Sequence, residues 1–424
     1  MSDSQRIGQA TEGMLEGLRV LDLTDARGYL CGKLLGDLGA DVIKVERPGG
    51  DPGRSLGPFY KDIPEPEKSL YWFAFNANKR GITLNIETAQ GQEIFRRLVK
   101  RADFVLESFS PGYMDSLGLG YSELRQINPR IIMSSITPFG QSGPYRDYKS
   151  SDLVDAALGG ILYSNGDPDR RPVRISFPQT YQFAAVEAAI GMMMALLYLQ
   201  ETGEGQQVEV QAQRAVVGAT YDLVPFWYGN HEIRKRQGAV VIQPNTGVVT
   251  RQMWPCKDGF VTFSLSGGAA RAPSSRAMVE WMDSEGYASD SLKQVDWAAF
   301  DWSKVTQEYI DRLAEPISRF LLAHTKAELL EGAVERGILL YPLNTAKDML
   351  QSRQLKVRQY WTEVPHPELG TTIPYPGAFI KASEAPIRMR CRAPTIGEHN
   401  EEIYKREMGF SSEELVILKQ ANII

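Results

Sequence analysis

The chain has 424 residues, a formal net charge of −5, and 43% hydrophobic against 23% charged residues. That length exceeds what one core ordinarily organises, so two domains are expected. The mild acidity and the short basic clusters, Lys79-Arg80 and Arg234-Lys235-Arg236, form no basic stripe and exclude a nucleic-acid partner. Cys31, Cys256 and Cys391 make no CxxC and the four histidines are scattered, so neither a disulfide framework nor a metal site is expected. Such cysteine usage fits a reducing compartment. The opening MSDSQRIGQATEG lacks a signal-peptide apolar run, and the longest apolar run, Ala188 to Leu199, is too short to span a bilayer. A cytoplasmic protein with no membrane partner is the expectation.

Along the chain, Leu18 to Thr24 predicts a buried strand. A helix follows over Tyr29 to Leu38, with Leu30, Leu34, Leu35 and Leu38 on one face and Gly39 at its end. Ala40 to Glu46 is the next strand, and this βαβ spacing predicts a parallel sheet in an α/β fold. Further strands are predicted at 81–86, 104–108, 131–137 and 206–213, with helices over Thr88 to Arg101, Asp152 to Leu162 and Thr180 to Thr202. Residues 230–252 lose periodicity and predict a linker. A smaller unit then opens with the strand GFVTFSL (259–265) and continues in helices to about Gly337. From about 346 long strands are expected, then an amphipathic final helix. The domain boundaries read as 1–230, 231–345 and 346–424.

Few motifs carry chemistry. The turn after the first strand, Asp25-Ala26-Arg27-Gly28-Tyr29-Leu30, lacks the GxGxxG spacing that lets a pyrophosphate approach a helix N-terminus, which argues against NAD or FAD. Ser266-Gly267-Gly268 reads either as a ligand-closing loop or as a tight turn between strand and helix. Met192, Met193 and Met194 read as helix core. The aromatics from Tyr221 to Tyr228 fit core packing, a subunit interface or an aromatic acid pocket.

Several stretches together resemble the class III coenzyme A transferases. LEGLRVLDLT, LLGDLGADVIKVERPGGDPGR (34–54), NANKRGITLNIETAQG (76–91), the block 102–145, ETGEGQQVEV (201–210) and TIGEHNEEI (395–403) are similar to family landmarks and stand in family order. The resemblance implies a large Rossmann-like domain built from both ends of the chain, a smaller middle α/β domain, and an interlocked dimer. It implies a CoA thioester as substrate, with no permanently bound cofactor. The implied chemistry begins with attack of an aspartate on the acyl-CoA, giving a mixed anhydride and then an aspartyl-CoA thioester. A glycine loop holds the oxyanion, and Ser266, Gly267 and Gly268 stand where that loop is expected.

Counting back from Thr202-Gly203, and forward from Lys149-Ser150-Ser151-Asp152, the family's aspartate position holds Tyr181. A phenol titrates near 10 and does not replace a carboxylate nucleophile. By resemblance, Arg47, Leu84, Phe109, Met114 and Lys149 are the positions retained for CoA, whereas Ser108 and Ser116 replace an asparagine and an arginine. The racemase branch needs a histidine and an aspartate where this chain has Ser151 and Tyr181. The reading is a non-catalytic subunit that works with a paralogous, aspartate-bearing partner. The PVRISFPQTY stretch is similar to the aspartate-lacking subunit of the benzylsuccinate type, which serves anaerobic toluene breakdown and moves CoA from succinyl-CoA. Two alternatives are a stand-alone CoA-thioester isomerase or hydrolase using Glu187, Asp152 or Tyr181, and a regulatory protein that binds acyl-CoA.

Overall fold

The computed structural model describes residues 13–243 and 246–424, so the expectation for the opening segment lies mostly outside the described residues. Two compact units emerge, one from 1–162, 175–231 and 353–424, the other from 163–174 and 232–352. The sequence boundaries at 230/231 and 345/346 did not set 163–174 apart.

The large unit is built on six parallel strands: β1 (Arg19–Asp22), β2 (Asp41–Glu46), β3 (Lys79–Thr83), β4 (Phe104–Glu107), β5 (Ile132–Thr137) and β6 (Gln207–Gln211), in the order β3-β2-β1-β4-β5-β6. This is the Rossmann-like order, with its reversal between β1 and β4. The strands from β1 to β5 are almost wholly buried because helices cover both faces. On one side lie α1 (Tyr29–Asp37) and, further along the chain, the long α7 (Thr180–Thr202); α2 (Leu70–Asn76) adjoins α1. On the other, α3 (Ala89–Val99) packs Ile94, Phe95, Leu98 and Val99 against Leu21, Ile43 and Ile82.

The loop after β4 carries α4 (Tyr113–Ser116) and α5 (Tyr121–Ile127); after β5 comes α6 (Asp152–Leu158), then α7 (Thr180–Thr202). In α7 the small residues Ala184, Ala185, Ala188, Ala189 and Ala195, with Met192 and Leu199, form the face that closes on α1, β5 and β6. Gly203 ends α7 at φ 78°, a left-handed cap that glycine adopts without steric cost. The isolated apolar run understated this helix, which at 23 residues is long and apolar enough to cross a membrane by length and composition. Its alanine face is nevertheless core, while Val186, Ile190, Met194 and Leu197 on the opposite side are exposed. Thus Met192 is core as expected but Met194 is not.

Two short helices follow β6, α8 (Ala212–Gly218) and α9 (Leu223–Asn230), where only a strand to 213 had been predicted. The supposed linker contains a hairpin, β7 (Val240–Ile242) with β8 (Val249–Arg251). The smaller unit's antiparallel sheet joins β9 (Met253–Cys256), β10 (Gly259–Phe263) and β11 (Leu340–Pro342). Its core unites Trp254, Phe263, Trp281, Met282, Leu313 and Phe320 from this sheet and from α10 (Ala272–Ser284) and α11 (Gln307–Ala323). Long strands expected from 346 are replaced by short helical turns and then one hairpin of six-residue strands, β12 (Trp361–His366) and β13 (Thr371–Pro376). Val364 and Tyr375 of that hairpin bury Trp72 and Phe73 of α2. The final helix, Ser412–Gln420, starts with a capping box between Ser411 and Glu414.

Candidate active site

At the carboxyl ends of the strands a cavity of about 350 Å³ opens, reaching from Asp25 and Arg27 after β1, past Arg47 after β2 and Leu84 after β3, to Ser108 and Phe109 after β4. It therefore spans the point where the strand order reverses, the position where open α/β sheets bind ligands. Three of the five positions assigned to CoA by resemblance, Arg47, Leu84 and Phe109, line it. The other two do not. Met114 is buried in the core beside α3, and Lys149 is exposed and is not part of this lining. Of the substituted positions, Ser108 lines the cavity and Ser116 is exposed, its hydroxyl donating to the Tyr113 carbonyl at 2.7 Å.

The wall nearest β1 is stiffened by a compact set of bonds. The Ser108 hydroxyl accepts from the Asp25 amide at 2.8 Å and donates to the Asp25 carboxylate at 2.9 Å. Arg27 donates from Nε and Nη2 to the same carboxylate at 2.7–3.1 Å. Burial works to raise the Asp25 carboxyl, but the Arg27 bonds and charge outweigh it and hold the group below the usual carboxylate range.

Behind this wall lies a buried ionic network that strand periodicity did not reveal. Lys79 donates to Asp22 at 2.7 Å, to the Tyr29 carbonyl at 2.9 Å and to Asn76 at 2.9 Å. Lys44 approaches Asp51 at 3.5 Å and bonds the Thr24 carbonyl, while Tyr29 bonds Asp51 through its hydroxyl. Arg54 closes on Glu46 with bonds of 2.6 and 2.8 Å and stacks 3.8 Å from the Trp72 ring. Gly32 is required here, because a Cβ would stand 2.3 Å from an Asp22 carboxylate oxygen. Burying this many charges is tolerated only because each has a counter-charge or a carbonyl within reach.

Tyr181 stands in the first turn of α7. Its hydroxyl accepts from the Asp152 amide at 3.0 Å, at the start of α6. Asp152 returns the link, its Oδ1 accepting from the Thr180 amide at 2.9 Å and the Thr180 hydroxyl at 2.8 Å. The two helix starts are thereby locked together, and one Asp152 oxygen is spent on α7. Burial, reinforced by the Asp155 charge, pushes the Tyr181 phenol above its ordinary value, despite the Asp152 amide and Arg27. Asp25 and Arg27, which line the cavity, lie within electrostatic reach of it, while Tyr181 itself is not among the lining residues.

Three groups escaped sequence reasoning. Burial raises Glu107 to about 7, against bonds from the Ser135 hydroxyl and the Phe109 amide. Burial and the Asp152 charge raise Asp155 to about 6, although Ser150 donates to it; its Oδ2 is buried without a partner. Tyr71, from the unpredicted α2, is raised to about 12 by burial, then by Tyr181. Glu187 is half-buried on α7, near the Gly218 turn. In the smaller unit, the Ser266 amide donates to Ser275 at 3.1 Å and the Gly268 amide to the Trp297 carbonyl at 3.1 Å. Gly268 is left-handed at φ 81°, and Gly267 abuts Phe300. Two of the three loop amides are thus already used within the protein.

Comparisons with known proteins agree with this geometry. The family model described as CoA-transferase family III matches residues 15–400. The BbsE subunit of succinyl-CoA:(R)-benzylsuccinate CoA-transferase from Thauera aromatica is 36% identical, over 91% of this chain and 92% of its own length. Two Chloroflexus aurantiacus proteins are also similar. Succinyl-CoA–D-citramalate CoA-transferase is 33% identical over 97% of this chain and 98% of its own, and the beta subunit of succinyl-CoA–L-malate CoA-transferase 30% over 98% and 100%. A crystal structure of a CAIB/BAIF family protein from Brucella suis superposes with a TM-score of 0.79 at 28% identity, covering 94% of this chain and all of that one. The parallel sheet, the cavity at its switch point and a match across nearly the whole length place this chain in the CoA-transferase family III.

Proposed function

We propose that this chain is the nucleophile-lacking subunit of a heteromeric CoA-transferase. Its partner is a paralogous chain that carries the catalytic aspartate. The observation that carries the reading is Tyr181, a phenol pushed above its ordinary value at the position that resemblance gives to the nucleophile. It is neutral at physiological pH and bonded to the Asp152 amide, a structural part rather than an attacking group. Asp152 is engaged by Thr180, which counts against its use as a base in a stand-alone enzyme.

The cavity retains Arg47, Leu84 and Phe109 and is the place for CoA on this chain. Two of the relatives are named as subunits, which supports an assembly of unlike chains. The exposed apolar stripe of α7, with Trp227 and Tyr228 on α9, supports an interlocked pairing that covers them. The donor is succinyl-CoA and the acceptor a dicarboxylic acid of the benzylsuccinate kind, following the BbsE relative. On this reading the protein works in the cytoplasm, in anaerobic toluene degradation.

The test is the native mass and subunit identity of the complex isolated from its source. A second chain of similar size with an aspartate opposite Tyr181 is expected. Transfer of CoA from succinyl-CoA by this chain alone, at rates ordinary for an enzyme, overturns the proposal.

A further inference from the structure

The family model ends at residue 400, yet the cavity wall does not. Asn422 lines the same cavity as Leu84, Phe109 and Tyr113. It gets there by a helix ending. After the final helix, the Asn422 amide donates to the Lys419 carbonyl at 3.0 Å and the Ile423 amide to the Leu418 carbonyl at 2.9 Å. Asn422 itself is left-handed at φ 55°. Ile423 and Ile424 then turn into the core beside Leu84 and Ile86. The Asn85 amide, on the cavity wall, donates to the Ile423 carbonyl at 2.7 Å. Residues 422–424 therefore brace the loop 84–87 and complete one end of the cavity.

The chemistry of that end is specific. Leu84 and Ile86 give apolar surface, and Phe109 and Tyr113 form an aromatic pair with ring centroids 4.7 Å apart. The exposed Asn422 adds a carboxamide, and Arg47 adds a cation. Flat apolar walls with an edge-reading amide suit a purine base, and a nearby guanidinium suits its phosphates. At about 350 Å³ the cavity is at the small end for ligand sites, so it matches one segment of a long ligand.

We propose that Asn422 is a specificity residue of this cavity, contacting the nucleoside end of the CoA thioester. The inference rests on the reading of the cavity as a CoA site. Helix ending explains the backbone at 422 but not the side chain, since glycine serves a left-handed cap at least as well. That gives a clean variant, Asn422→Gly, which keeps the turn and removes only the amide.

The experiment is calorimetric titration of the full chain, in the assembly in which it purifies, with CoA and separately with 4′-phosphopantetheine. The sites carried by this chain are distinguished by stoichiometry. The expected result is about tenfold weaker CoA binding in Asn422→Gly, with phosphopantetheine affinity and Tm unchanged. Unaltered CoA affinity overturns the role of Asn422 and leaves the CoA cavity standing. Equal weakening for both ligands overturns the assignment to the nucleoside end. No CoA binding by the wild-type sites of this chain overturns the cavity reading and the inference together.

Discussion

Glu107 gives a quantitative check on the electrostatics of the site. The residue is 3% exposed at the end of β4, and burial lifts its carboxyl from an ordinary 4.5 to about 7. A carboxyl raised by folding contributes its stability below the unfolded value and loses it as pH rises through the folded one. The window is therefore about pH 4.5 to 7. At about 1.4 kcal/mol per pH unit, the loss across it is about 3 kcal/mol. Glu107→Gln keeps a carbonyl acceptor for the Phe109 amide, which Glu107 accepts at 2.8 Å, and cannot ionise. For a chain of this length the unfolding entropy is about 0.9 kcal/mol/K, so the penalty corresponds to about 3 °C in Tm. Thermal melts of both proteins from about pH 4.5 to about pH 8 should therefore diverge, with the Gln variant gaining about 3 °C on the wild type at the alkaline end. Asp155, raised to about 6, titrates in the same window but is common to both proteins and cancels in the difference. Melting curves that stay parallel across the range refute the reasoning.

Other substitutions separate structural from ligand-binding roles. Tyr181→Phe loses only the bond from the Asp152 amide; melts should show a cost of about 1 kcal/mol, and CoA transfer by the assembled enzyme should be unchanged. Arg47→Ala removes an exposed cavity cation, so titration should show CoA binding about tenfold weaker at low salt, with the gap narrowing as salt rises. Lys79→Met leaves Asp22 charged and buried, at a cost of about 3–5 kcal/mol; a large fall in Tm is expected, partly recovered by adding Asp22→Asn.

The sheet was legible because its strands are short runs of Val, Ile and Leu separated by helical periods, and the resemblance then supplied the domain plan. What stayed hidden has physical causes. In α2, LYWFAFN is apolar on every side and shows no helical period, yet it brings Tyr71 to the site and Trp72 to Arg54. Lys79 counted only as part of a short basic cluster and Lys44 carried no signal, but helices cover both faces of this sheet and make both of them core cations. Lys149 and Met114 were carried over by resemblance alone. Met114 is the buried residue of α4 and packs in the core with Ile94, Phe95 and Leu98. Asn422 had no signal beyond a polar residue before two isoleucines.

The most direct measurement locates the covalent intermediate. The intact assembly is incubated with succinyl-CoA and quenched with hydroxylamine, which converts an activated carboxyl to a hydroxamate, and the modified residue is mapped by peptide mass spectrometry. The account predicts a hydroxamate on an aspartate of the partner subunit and none on this chain. A hydroxamate on a carboxyl of this chain, such as Asp152, whose amide bonds Tyr181, or Asp155, whose charge acts on it, contradicts it.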